Sequence, residues 1–65
     1  MTTIESLLKK NRFSKKVIYR IEDPLLGWRN YEYIGRNKYG IIMRGNYKEE
    51  VLLDLFDSNL KVLII

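Results

Sequence analysis

Apolar positions fall in short groups along the chain, and their spacing changes from helical to strand-like within the first twenty residues. Ile4, Leu7 and Leu8 recur at helical intervals and make one stripe. Thr2-Thr3-Ile4-Glu5 has the form of a capping box, with Thr2 as cap and Glu5 three residues on. Lys9 and Lys10 suit the negative end of a helix dipole, and Asn11 is an acceptable stop. The pattern predicts a helix over 3–10, too short to persist unless it docks on the remainder.

From Lys15 the period becomes two. In 15–22, Val17, Tyr19 and Ile21 alternate with Ile18, Arg20 and Glu22, which predicts a strand that Asp23-Pro24 ends. Leu25-Leu26-Gly27 is a loop. A second strand, 28–34, places Trp28, Asn30, Glu32 and Ile34 on one face and Arg29, Tyr31 and Tyr33 on the other. Gly35-Arg36-Asn37-Lys38 reads as a hairpin turn, and 39–44 as a third strand with Tyr39, Ile41 and Met43 together. The segment 49–56 admits two patterns. As a strand it turns Val51, Leu53 and Leu55 inward; as a helix over 48–57 it makes a stripe of Leu52, Leu55, Phe56 and Leu60. The short break Asp57-Ser58-Asn59 before a last strand at 60–65 favours the strand.

These elements predict a mainly β domain across 1–65, a short N-terminal helix followed by a five-stranded antiparallel sheet. A strongly bent sheet of this size tends to close into a small barrel, because closure removes its exposed edges. An α+β fold with a helix at 48–57 is the alternative. The run Val51-Leu52-Leu53-Asp54-Leu55-Phe56-Asp57-Ser58-Asn59-Leu60-Lys61-Val62-Leu63-Ile64 resembles the strand, acidic turn and strand that end SH3-like barrels of the Tudor and KOW type. Gly40 to Met43, before Gly45-Asn46-Tyr47-Lys48, resembles the strand and turn that precede them. The likeness covers residues 40–64 and departs from KOW at Glu49-Glu50, where Gly is usual. It implies an SH3-like small barrel and carries no binding residue across.

At 65 residues the chain lies near the lower limit for an independent core, and it contains neither Cys nor His. Disulfides, Cys/His zinc sites and thiolate chemistry are thereby excluded. With the commonest general base and the best nucleophile missing, and no phosphate loop, no enzyme and no cofactor or metal is expected. The carboxylate pairs Glu22-Asp23, Glu49-Glu50 and Asp54…Asp57 read as solvated turn residues. No leader segment is visible and the apolar runs are far short of the roughly 20 residues that span a bilayer, so a cytoplasmic protein with no membrane partner is expected. Ala and Gln are absent while Phe, Tyr, Met, Ile, Asn and Lys abound, the bias of an AT-rich coding sequence such as those of low-GC bacteria, phages or plasmids.

The formal net charge of +4 is uneven. Residues 1–20 come to +5, and 21–65 to −1. Two classes of function are compatible with this. The first is a non-catalytic module, of the phage- or plasmid-accessory kind, that binds and modulates a partner protein. Its candidate surface is Arg29, Tyr31, Tyr33, Tyr39 and Tyr47, residue types enriched at binding hot spots. Leu25, Leu26, Leu52 and Phe56 would extend it if outward, and a homodimer through the apolar last strand belongs to the same class. The alternative is a nucleic-acid-binding barrel, with Lys9, Lys10, Arg12, Lys15, Lys16, Arg20, Arg36 and Lys38 on phosphates and exposed rings on bases.

Overall fold

The computed structural model describes residues 1–65 as β1 (Thr2–Thr3), α1 (Ile4–Lys10), β2 (Tyr19–Asp23), β3 (Gly27–Asn37), β4 (Gly40–Gly45), β5 (Glu50–Leu52), a 3₁₀ turn (Leu53–Leu55) and β6 (Lys61–Ile64). The fold is mainly β, with one short helix and five antiparallel strands after it. All pairings are antiparallel, in the order β1-β6-β2-β3-β4-β5. The last strand therefore returns beside β2, where Tyr19 faces Ile64, and Ile18 and Ile65 exchange backbone bonds of 2.9 and 3.1 Å. The sheet remains open, with β1 and β5 as its edges. β5 is three residues long, and the 3₁₀ turn carries the chain off the edge before a sixth pairing could close it.

The helix begins one residue later than its capping pattern implies. Thr3 is the cap, its Oγ1 accepting from the Ser6 N–H at 3.2 Å, because Thr2 is held in β1 opposite Val62. Asn11 closes the helix in the left-handed conformation, φ 52°, and its N–H donates to the Leu7 carbonyl. The N–H groups of Ile4 and Glu5 donate to the Leu60 and Ser58 carbonyls, each at 3.0 Å, so the first turn is anchored to the segment that precedes β6.

The core is Ile4, Leu7, Tyr19, Ile21, Tyr31, Ile41, Met43, Leu53 and Val62, with no buried charged residue among them. One sheet face packs on the helix, and the other carries Arg20, Asn30 and Leu63, which share a register row. Burying each large apolar side chain stabilises by about 1.5–3 kcal/mol.

Three sequence expectations are corrected here. β3 has the expected alternation but the opposite orientation: Tyr31 is buried and Tyr33 half-buried, while Trp28 lies on the helix-free face opposite Glu22. The loop 11–18 explains the choice. Phe13 stacks on Tyr33 at 5.2 Å and tilts against Tyr19 at 5.9 Å, and the Tyr19 hydroxyl accepts the Ser14 N–H, so the rings need the helix side. That loop also delays β2 to Tyr19. Next, β3 carries a bulge at Ile34, between Tyr33 and a Gly35 at φ 152°, and the hairpin turn lies beyond it at Lys38-Tyr39. Finally, 49–56 is neither a full strand nor an α-helix. Alternation stops at Leu53, so Leu55 is 80% exposed and Phe56 turns in to meet the Tyr31 ring edge-on at 5.7 Å.

The β2–β3 turn is held by one carboxylate. Asp23 Oδ1 accepts from the Leu26 N–H at 2.9 Å and the Leu25 N–H at 2.8 Å, and these bonds, with Arg29 adding, hold its pKa below the usual 3.8. A depressed folded-state value means the stabilisation is present above the unfolded pKa and is lost as pH falls through the folded one. Asp23→Ala is thus expected to lower the melting temperature at pH 7. Its gap to the wild type should close as the pH falls below 3.8 and through the lower folded value, a trend that thermal melts across acid pH will follow.

Candidate functional site

β3 and β4 run between two ends of the sheet that differ in chemistry. The β2–β3 and β4–β5 turns meet at one end, and the β3–β4 turn meets the last residue of the helix cap at the other.

The first end is apolar and aromatic. Leu25 is 92% exposed, Leu26 66% and Tyr47 84%, and an open cleft is lined by Leu26, Trp28, Arg29, Asn46 and Tyr47. Polar bonds inside the two turns hold these side chains outward. On one side the Asp23 carboxylate takes both leucine N–H groups. On the other, Glu49 accepts from the Tyr47 N–H at 3.0 Å with one oxygen and from Arg29 Nη2 at 3.2 Å with the other. Gly45 is needed for this, because a Cβ there would come within 2.5 Å of the Glu49 carboxyl. Its N–H donates to the Glu49 carbonyl, and Lys48 turns the chain at φ 64°.

The second end is basic. Arg36 Nη2 donates to Asn11 Oδ1 at 2.9 Å, which brings the helix C-terminus against the hairpin. Lys10 and Arg12 flank Asn11 in sequence, and Lys38 follows Arg36 by two. Asn37 Oδ1 accepts the Tyr39 N–H at 2.8 Å, closing the turn, and the Lys38 ammonium lies 5.2 Å from the centre of the Tyr39 ring, which is 66% exposed.

The tyrosine surface expected from the sequence is not brought together. Tyr31 is buried, and burial pushes its hydroxyl pKa up, with the Arg29 charge opposing. Tyr33 lies under Phe13, Arg29 is paired with Glu49, and Tyr39 and Tyr47 stand at opposite ends of β4. Of the suggested apolar extension, Leu25 and Leu26 are outward, whereas Leu52 is half-buried and Phe56 packs on Tyr31. Trp28, outside the expected set, lines the apolar cleft. No signal within 28–34 separates the two faces of this strand, and only the ladder, which sets Trp28 opposite Glu22, places it.

The basic set divides. Arg36 reaches Asn11, with Arg12 and Lys38 close to that pair in sequence, whereas Lys10 lines a cleft with Thr2, Val62 and Ile64 on the β1–β6 side and Lys9 lies 4.0 Å from Glu5. Lys15 and Lys16 are exposed in the loop before β2. Arg20 belongs to the helix-free face, where its Nε is enclosed without a hydrogen-bond partner. Asp54 and Asp57 both serve backbone groups, the Ile41 and Asn59 N–H at 2.8 and 2.9 Å.

No family model matches the chain, and no curated protein or solved structure matches it. No helix is long and apolar enough to cross a membrane, and no three His, Cys, Asp or Glu side chains converge where they could hold a metal ion.

Proposed function

We propose that the chain is a small, non-catalytic binding module of SH3-like type that docks on a partner protein through the end carrying Leu25, Leu26, Trp28 and Tyr47. The observation that carries this is the outward hold on those side chains: two carboxylates, Asp23 and Glu49, bind the backbone of the two turns so that leucine and tyrosine side chains project into water. The core is assembled without them, so their exposure serves no folding purpose. Apolar and aromatic groups clustered in this way, beside an arginine and rimmed by Asn46, have the composition of a hot spot with a polar rim. The return of β6 beside β2 supports the SH3-like assignment, since it is the strand order from which a five-stranded sheet would curl toward closure. An AT-rich composition and a charge of +4 fit an accessory protein of phage or plasmid type that modulates a host complex.

Photo-crosslinking tests this directly. A benzoylphenylalanine placed at Leu26 or at Tyr47 is expected to yield the same discrete adduct in cells, while the same probe at Lys61 on β6 yields none. Adducts of equal yield from all three positions, or no adduct from either turn, would remove the docking surface. An adduct of twice the chain's 7.8 kDa would replace the partner protein by a second copy.

A further inference from the structure

We infer that the opposite end of the sheet is a second interaction surface, one that takes single-stranded nucleic acid. Its starting point is the bond between Arg36 and Asn11. Two segments far apart in the chain, Asn11-Arg12 and Arg36–Lys38, meet there because the helix cap offers its side-chain carbonyl to the hairpin arginine. The left-handed conformation of Asn11 ends the helix at this point, so the chain leaves the helix with Arg12 directly after the residue that Arg36 holds. Residues 10–12 and 36–38 contain no acidic residue. The nearby cleft has one carboxylate, Asp54, whose Oδ1 is occupied by the Ile41 N–H.

Cations alone would fit any polyanion. The neighbouring ring narrows the choice. Tyr39 is two-thirds exposed at the hairpin tip, its backbone fixed by Asn37, and Lys38 covers it as a cation near a π-face. A base stacked on the ring brings its flanking phosphates within reach of Arg36 and Lys38, which bracket the hairpin tip. Stacking on an exposed aromatic needs an unpaired base, and phosphate contact supplies the affinity. A duplex offers the phosphates but hides its bases. This surface stands apart from the apolar end, so an adapter with a protein at one end and a nucleic-acid strand at the other is sterically open on a body 28 Å in its longest dimension.

The test compares three doubles that each bring the formal net charge from +4 to zero. Titrated at low salt against a labelled single-stranded oligonucleotide of mixed sequence, Arg36→Glu/Lys38→Glu is expected to bind at least about tenfold more weakly than wild type. Lys48→Glu/Lys61→Glu, at the far end and on β6, should stay within about threefold. Arg12→Glu/Lys38→Glu leaves the Asn11–Arg36 bond intact and should match the first double, which guards against a folding defect. Tyr39→Ala should cost about fivefold or more on the single strand and leave binding to a duplex of the same length unchanged. No binding by the wild type at low salt, equal losses from the near and far doubles, or a Tyr39→Ala variant that binds the single strand as wild type does would each overturn the inference.

Discussion

Leu53→Ala is expected to cost about 2–5 kcal/mol of folding stability, the range for truncating a fully buried leucine whose surroundings relax only in part. Leu53 is completely enclosed where β5 passes into the 3₁₀ turn, and it joins β4 to the core beneath the helix. Stabilities of small domains lie at the low end of about 5–15 kcal/mol, so the variant should be largely unfolded at 37 °C. Leu55→Ala, two residues on and 80% exposed, should change stability by no more than about 0.5 kcal/mol. Urea unfolding followed by circular dichroism reads both. Equal costs at the two positions would mean that the strand continues through 55 and that the turn is misplaced.

Gly40→Ala is expected to be the most damaging change outside the core. The residue sits at φ +137°, a region that L side chains avoid, and its missing Cβ leaves the space that the Asp54 carboxylate occupies. That carboxylate accepts the Ile41 N–H at 2.8 Å, so it cannot swing away without releasing a backbone donor at the start of β4. Strain and the lost bond together come to about 2–4 kcal/mol, a fall in melting temperature of more than about 10 °C for a domain this small. The double variant Gly40→Ala/Asp54→Ala removes the collision but keeps the backbone strain. It should therefore be less destabilised than the sum of the two single changes, and a double-mutant cycle in thermal unfolding measures the difference. An additive pair would show that the carboxylate does not occupy that space in solution.

Both predictions turn on positions that local pattern treats as ordinary. Strict alternation puts Leu53 and Leu55 in the same core row, and only the 3₁₀ turn separates them. Gly40 reads as a place for a bend, yet the group that requires it is Asp54, thirteen residues on in the chain. The candidate surfaces were legible to a similar depth. Leu25 and Leu26 could be marked as an apolar loop because Asp23-Pro24 and Gly27 enclose them with turn residues. Trp28 could not be placed, since an alternating strand has two faces and nothing within 28–34 says which one a helix will cover.

Taken alone, the residue order did not mark β1 or the 3₁₀ turn, but it marked a capped two-turn helix stopped by Asn11 and the five strands after it, set off by Asp23-Pro24, the glycines and Asp57-Ser58-Asn59. Those are short-range matters, decided by spacing, cap chemistry and turn residues within a few positions. It also determined the chemistry that is missing, for a chain without Cys or His has neither thiolate nor imidazole whatever its fold. The tertiary structure decided what depends on partners distant in sequence. Phe13 and Tyr19 chose the inward face of β3 and so withdrew Tyr31 and Tyr33 from the surface. The short β5 and its 3₁₀ turn left the sheet open. The bond from Arg36 to Asn11 joined two segments twenty-five positions apart, and the pair of Arg29 with Glu49 tied the start of β3 to the β4–β5 turn. Each of these is a contact between residues that no local period relates, and its free energy exists only once the chain is folded.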